Sequence, residues 1–445
     1  MATTKIIVLD DDPTGSQTVH GCLLLMRWDV TSLKEALADD APLFFVLTNT
    51  RGMSAERAAA VTREVCRNLK QALAGSDLQP VFVSRSDSTL RGHYPVETDV
   101  MAEELGPFDA HFLVPAFFEG GRKTRDSVHT LRVDGRDVPV HETEFARDSV
   151  FGYRHSYLPD YVEEKTGGRI RAEQVERLLL KEVRSGVFER LTALSGNACV
   201  VVDAEVQDDL NRFATDVLKA AAVGKRFLFR SAASLLTALA RLPPQPVAPE
   251  AMAKHVRDDR PGAVMVGSHV PKTTRQLEAL LRQPGTLAIE VDVDRLATSP
   301  APYLKDVLAR SEAAHRAGET PVIYTSRRER QFASPAERLQ FGEQVSGFLM
   351  DVIRGLPTTL GFLVSKGGIT SNDTLSTGLG LRTARLLGQL LPGVSMVRCP
   401  DDHPRFPGLP VVIFPGNVGD DQALALAYAR LTMDPAITSG HSAHA

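Results

Sequence analysis

The chain is poor in the features that mark several large classes of protein. Its four cysteines among 445 residues, Cys22, Cys66, Cys199 and Cys399, are too scattered for a Cys-x-x-Cys redox or metal motif. They read as buried reduced thiols, which makes a reducing cytoplasm the expected setting. No apolar stretch is long enough to span a bilayer. Met1 to Lys5 leads into the strand-like Ile6-Ile7-Val8-Leu9 without the basic and apolar pattern of a secretory signal. There is no long run of Lys and Arg, and the formal net charge is -4, so neither nucleic acid nor an anionic membrane is an expected partner. Two familiar nucleotide signatures are missing as well. The segment Gly267-Ser268-His269-Val270-Pro271-Lys272-Thr273-Thr274 lacks the glycine before lysine of a Walker A loop, and no Gly-x-Gly-x-x-Gly follows the first strand.

What is present is an ordinary globular balance, 43% hydrophobic and 24% charged, in a chain longer than one core usually supports. Short β-branched or apolar runs alternate with longer amphipathic segments. The expected fold is therefore α/β, with two domains, each a mainly parallel sheet flanked by helices. Strands are expected at Lys5 to Asp10, Leu43 to Thr48, Pro80 to Ser86, His111 to Pro115, Ala198 to Asp203 and Phe227 to Arg230. A second series runs through Ala263 to Ser268, Leu287 to Val293, Pro321 to Ser326, Thr359 to Ser365, Val394 to Cys399 and Pro410 to Phe414. Ala55 to Ala74 carries apolar residues at helical spacing, and Ser334-Pro335-Ala336-Glu337 is a capped helix start. The proline-rich Leu242 to Pro249 cannot continue a helix and separates the two series. The expected domains are thus 1–242 and 262–434, with a linker at 243–261 and a frayed tail at 435–445.

One segment, 122–169, interrupts the alternation. It carries a hairpin signal, Val128 to Val133 followed by Asp134-Gly135 and a return through Val138. His129, His141, His155, Glu142 and Glu144 have no close-spaced metal-binding pattern, so the expectation is hydrogen-bonded loop or subunit-contact residues, and no metal site. A homodimer is left open.

Ligands of open α/β sheets bind beyond the carboxyl ends of the strands. In the first domain those ends are polar: Asp10-Asp11-Asp12-Pro13-Thr14-Gly15-Ser16, Thr48-Asn49-Thr50-Arg51, Arg85 to Gly92, and Glu119-Gly120-Gly121-Arg122. Arginines able to grip a carboxylate and aspartates able to accept from hydroxyls suit a small polyhydroxy acid. In the second domain Gly267-Ser268, Lys366-Gly367-Gly368-Ile369-Thr370-Ser371 and Pro415-Gly416-Asn417-Val418-Gly419 each follow a strand. Together they look like a phosphate cradle.

These motifs resemble the four-carbon acid sugar kinase family, over nearly the whole chain. Asp11-Asp12-Pro13-Thr14-Gly15 is similar to the family's opening Asp-Asp-x-Thr-Gly, and Asp87-Ser88-Thr89-Leu90-Arg91-Gly92 matches its second element. Gly267-Ser268, Gly367-Gly368-Ile369-Thr370 and Gly416-Asn417-Val418-Gly419 match its later loops. The resemblance implies that the first domain binds the acid sugar and the second ATP, with the active site in the interdomain cleft. It implies nucleotide contacts from Ser268, Gly367, Gly368, Ile369, Thr370 and Gly416. The third aspartate Asp10, Pro13, Pro415-Gly416 and the His141 to Asp148 stretch depart from the better-known threonate and oxo-tetronate kinases.

The expected activity is transfer of a phosphoryl group from ATP to a hydroxyl of a threonate, an erythronate or an oxo-tetronate. Asp12, assisted by Asp11, is the expected proton acceptor, with Mg²⁺ held chiefly by the ATP phosphates. Asp87, Ser88, Arg91, Arg51 and Arg122 are expected at the substrate, Arg91 on its carboxylate. Two alternatives compete. Asp10 and Asp12 also look like the nucleophile and acid of a haloacid-dehalogenase phosphatase, and a sensor could bind sugar acid or nucleotide without turnover.

Overall fold

Parallel strands covered by helices on both faces have no solvent side, so they are written as unbroken apolar runs. Ile6 to Leu9, Phe44 to Val46 and Val411 to Ile413 are such runs, and every residue in them is buried. Each side chain of this size stabilises the fold by roughly 1.5–3 kcal/mol when buried. The computed structural model describes residues 3–327, 335–416 and 418–432. The chain forms two compact units, Met1–Pro244 and Gln245–Ala445.

The strands of the first unit are β1 (Thr4–Asp10), β2 (Leu23–Leu25), β3 (Leu43–Leu47), β4 (Gln79–Arg85), β5 (Ala110–Val114), β6 (Arg122–Arg125), β7 (Val128–Val133), β8 (Arg136–Pro139), β9 (Glu176–Leu178), β10 (Ala198–Val202) and β11 (Phe227–Ser231). One parallel sheet runs in the order β2-β3-β1-β4-β11-β5-β10-β9. From β1 the chain moves toward β3, and from β4 it moves the other way, toward β5. The direction of winding therefore switches between β1 and β4, where ligand crevices form in such sheets. The helix Ala55–Leu73 starts at Ser54, whose hydroxyl accepts from the Arg57 N–H at 3.3 Å. It buries Ala58, Val61, Val65, Cys66, Leu69 and Ala72, and most of these pack with Phe44, Phe82 and Met101.

The expected hairpin in 122–169 is the β7–β8 pair of a small antiparallel sheet ordered β6-β7-β8. Asp134 and Gly135 form its turn with φ of 48° and 76°, the left-handed conformations that a two-residue hairpin loop of this kind needs.

In the second unit the strands are β12 (Ala263–Val266), β13 (Thr286–Val291), β14 (Thr320–Thr325), β15 (Leu363–Lys366), β16 (Thr383–Leu391), β17 (Val394–Arg398) and β18 (Pro410–Phe414). The order β13-β14-β12-β15-β18 is parallel, and β17 and β16 extend it antiparallel. The proline-rich stretch is not a free connection. Val247 and Met252 lie in one apolar cluster with Val264, Phe362 and Tyr428, because the segment between the prolines keeps apolar side chains to bury. The Ser334 cap expected for the helix Pro335–Gly355 lies outside the described residues, as do Asn417 and the tail 435–445.

β2, β9, β6 and β16 were not expected as strands. The first two are three residues long, too short to show a period. In β16, buried Ala384, Leu386, Gly388 and Leu390 alternate with less buried residues, but Ala, Leu, Gly and Gln are weak strand formers that hide the alternation.

Candidate active site

The three aspartates at the end of β1 have three different environments. Asp10 is fully buried, with Oδ1 at 3.3 Å from Arg85 Nη1 and Oδ2 without a hydrogen-bond partner. Burial, with Asp11 and Asp12 close by, pushes its carboxyl up to about 7 despite the opposing Arg85 charge. Gly15 stands directly against this carboxylate, where a Cβ would overlap Asp10. Asp11 accepts from Ser86 Oγ at 2.6 Å and pairs with the Arg51 guanidinium. Asp12 caps the turn Pro13–Ser16, accepting from the Thr14 N–H at 2.8 Å and from its hydroxyl, and lies 3.2 Å from Arg51 Nη1. Burial alone would raise Asp12, but Arg51 and the Thr14 hydrogen bonds outweigh it and hold the carboxyl below its ordinary value. Side-chain exposure is 21% for Asp12 and 1% for Asp11, so of these two only Asp12 reaches solvent.

Behind this cluster lies a buried polar relay that the sequence did not reveal. Arg230 on β11 donates to Ser84 Oγ at 2.7 Å, to Ser86 Oγ at 2.7 Å and to Glu97 Oε2 at 2.6 Å. Glu97 also accepts from Thr50 Oγ1 at 2.5 Å. Ser86 thus takes a hydrogen bond from Arg230 and gives one to Asp11, linking the ends of β11, β4 and β1. The one sequence signal was a charged residue ending the apolar run Phe227-Leu228-Phe229.

The expected substrate residues divide. Arg51 is committed to Asp11 and Asp12, and so positions carboxylates rather than standing free for an acid. Arg91 gives Nε to Asp87 Oδ2 at 2.7 Å and lies over the Phe145 ring, 4.9 Å from its centroid. Burial would raise the Asp87 carboxyl, but Arg91 and Arg51 hold it well below the usual range. Ser88 is buried in the same loop. Arg122 is half-buried; its Nη1 meets the Gly120 carbonyl at 2.5 Å, it lies 5.7 Å over Phe117, and its Nε is buried without a partner. Its charge is influenced by both Asp87 and Arg91 nearby, and burial moves its pKa downward.

In the second unit β12, β15 and β18 are neighbours, so their loops converge. A Cβ on Gly267 would overlap Thr370 Oγ1, and Gly367, at φ 118°, would bring one within 3.1 Å of Ser268 Cβ. Thr273 Oγ1 lies 3.3 Å from both Ser268 Oγ and the Gly416 carbonyl. Gly368 opens the short helix Gly368–Asp373, and Ile369 beside it is 73% exposed. Two cations border these loops. Lys366 is wholly buried, its Nζ donating to the carbonyls of Pro415 at 2.5 Å and Gly416 at 3.2 Å and lying 4.3 Å from the Phe414 ring centroid. Burial, with help from Lys272, pushes its amine down to about 7. Arg327 donates to the Ser268 carbonyl at 2.7 Å and to Thr274 Oγ1 at 2.9 Å, while its Nη1 is buried without a partner. Among the described residues neither cation has a carboxylate in ion-pair range. Their hydrogen-bond partners are carbonyl and hydroxyl oxygens, and the charge of Glu290 acts on Arg327 from beyond ion-pair distance.

No group of three or more His, Cys, Asp or Glu among the described residues could hold a metal. His129 is hydrogen-bonded instead to Thr124 Oγ1 and the Ser88 carbonyl. Among the described residues no helix is long and apolar enough to cross a membrane. The four cysteines are buried, and none of them is in a disulfide.

Carboxylates and guanidinium groups gather at the strand ends of one α/β unit, and glycine loops with Lys366 and Arg327 at those of the other, an arrangement suited to a protein that binds a sugar acid and a nucleotide. Family models agree: residues 6–239 match a sugar-binding N-terminal domain, and residues 263–424 match a nucleotide-binding C-terminal domain. The chain belongs to the four-carbon acid sugar kinase family. It is 26% identical over 220 residues to a D-erythronate kinase of Heliobacterium modesticaldum, covering 47% of each chain. It is 32% identical over 167 residues to a D-threonate kinase of Bordetella bronchiseptica, covering 36% of this chain and 39% of that one. The chain thus matches less than half the length of either relative. Its fold is shared with a Salmonella typhimurium LT2 protein, at TM-score 0.69 and 20% identity over 95% of this chain and 98% of that one. It is also shared with Haemophilus influenzae protein HI1011, at TM-score 0.64 and 17% identity over 96% and 100%.

Proposed function

We propose that the protein is an ATP-dependent kinase acting on a hydroxyl of a four-carbon acid sugar such as D-erythronate, D-threonate or an oxo-tetronate. The observation that carries this reading is the pair Lys366 and Arg327, which among the described residues have no carboxylate within ion-pair distance and lie beside three converging glycine loops. A phosphate chain is the ligand that balances them. Phosphoryl transfer asks the protein for in-line positioning, charge neutralisation and a partner for the attacking hydroxyl. Bound ATP, with Mg²⁺ on its phosphates, supplies the phosphoryl group. Lys366 and Arg327 neutralise phosphate charge, while Ser268, Gly367, Gly368, Thr370 and Gly416 line the cradle and Ile369 offers apolar surface to the nucleotide. Use of ATP suits a cytoplasmic enzyme.

In the first unit Arg91 and Arg122 receive the substrate carboxylate, and Asp87 and Ser88 accept from or donate to its hydroxyls. Asp12 takes the hydrogen bond of the attacking hydroxyl. Arg51 keeps it ionised, and in a loose transition state the proton need move only late. Asp11, locked between Arg51 and Ser86, holds Arg51 in place. The phosphatase alternative fits these observations poorly, since Asp10 is buried against Gly15 with no open face for nucleophilic attack.

Titration calorimetry on the full chain tests the assignment. Lys366→Met should weaken Mg-ATP binding about tenfold or more with acid-sugar binding intact, and Arg122→Ala should do the reverse. Unchanged ATP affinity in Lys366→Met refutes the assignment of the cradle.

A further inference from the structure

The 122–169 insertion grips the loop that carries Arg91. Three consecutive carbonyls of that loop each accept one buried side-chain donor from the insertion. His129 Nε2 donates to the Ser88 carbonyl at 2.8 Å, Tyr153 Oη to Thr89 at 2.7 Å, and Tyr161 Oη to Leu90 at 2.9 Å. Burial lowers His129 to about 4, so the ring is neutral at physiological pH. A neutral ring has one N–H, and a carbonyl can only accept. Nε2 therefore carries the proton, and Nδ1 accepts from the Thr124 hydroxyl at 2.9 Å.

The grip has something to hold. Leu90 sits at φ 67°, a left-handed conformation that is unfavourable for a residue with a Cβ and persists only where its surroundings enforce it. Its side chain is buried in a cluster with Leu131, Val140, Tyr153 and Tyr161, all from the insertion. The next residue is Arg91. Phe145 lies under its guanidinium, and Asp148 Oδ2 is 3.7 Å from Nη1. Asp148 is itself fixed by the N–H groups of Val150 at 2.8 Å and Phe151 at 3.0 Å.

We infer that the insertion is the specificity element of the acid-sugar site. His129, Tyr153 and Tyr161 set the backbone of residues 88–90, and Phe145 and Asp148 set the direction of the Arg91 guanidinium toward the substrate carboxylate. These five are positioning residues. The inference rests on the reading of Arg91 as a carboxylate receptor.

The test uses the full chain with Mg-ATP and D-erythronate or D-threonate as acids, and erythritol as an analogue without the carboxylate. Tyr153→Phe and Phe145→Leu should each raise the acid KM or Kd about tenfold, narrowing the preference for acid over erythritol. ATP affinity and thermal midpoint should stay near those of the parent. Phe145→Tyr, which keeps a ring under Arg91, should restore the acid KM. Asp148→Asn, at a partly exposed position, gives the same direction should the tyrosine variant fold poorly. Acid and ATP affinities falling together would mean a general structural role and overturn the inference. So would an unchanged acid KM in these variants while Arg91→Lys raises it. If Arg91→Lys also leaves the acid KM unchanged, the reading of Arg91 fails first and the inference with it.

Discussion

Replacing Asp10 with asparagine should make the first unit more stable at neutral pH, although it alters the most buried acid beside the candidate site. Asp10 ordinarily ionises near 3.8 and is raised to about 7 in the fold, chiefly by burial. Above pH 4 the unfolded chain releases this proton, whereas the folded chain holds it until about pH 7. Stability from this group is therefore highest below pH 4, declines through the window between the two values, and levels off above 7. Three pH units at about 1.4 kcal/mol each give a decline on the order of 4 kcal/mol. Asparagine keeps an oxygen for Arg85 and carries no charge at any pH. Between pH 5 and pH 8 the variant should gain on the parent by about 2–3 kcal/mol. Urea unfolding followed by fluorescence reads the right unit, because Trp28 is the sole tryptophan. A difference between the two proteins that stays constant within about 0.5 kcal/mol across that range would refute the reasoning.

Four further outcomes follow from the same geometry. Arg230→Met leaves Glu97 buried and uncompensated and should cost about 3–5 kcal/mol in urea unfolding. Gly15→Ala drives a methyl into the Asp10 carboxylate and should cost about 1–3 kcal/mol, with turnover reduced as the Asp12 turn shifts. Lys366 is lowered to about 7, so ATP should bind more tightly as pH falls through 7 and the amine gains its proton. Calorimetry in buffers of different ionisation heat should register proton uptake that Lys366→Met lacks. Asp12 is held below its ordinary value, so acid loss of kcat from this group should come below the usual range of an aspartate, read from a pH–rate profile over the range where the fold survives.

What was legible in the sequence is what local pattern encodes. Ile6 to Leu9 and Val411 to Ile413 announce central strands because burial on both faces leaves no polar position in them. The loops after them stand out because Asp10-Asp11-Asp12 and Pro415-Gly416 follow such runs directly. What stayed hidden is pairing across distance. Nothing near Arg230 shows that it meets Glu97 and Ser86, more than 130 residues away. Arg51 looked free for a substrate because its partners Asp11 and Asp12 lie on another strand end. Lys366 was visible in its motif, yet only the fold shows a buried amine facing carbonyls and an aromatic ring. Val247 and Met252 looked like linker because prolines surround them, and their burial depends on a core assembled from later strands.

The most direct test is to incubate the purified full chain with Mg-ATP and D-erythronate, D-threonate or an oxo-tetronate, following ADP and phosphorylated acid by phosphorus NMR. The account predicts one acid-sugar phosphate for each ADP, lost in Asp12→Asn with the thermal midpoint unchanged. Phosphate released from acid-sugar phosphates without nucleotide, or tight binding of both ligands with no ADP formed, would contradict it.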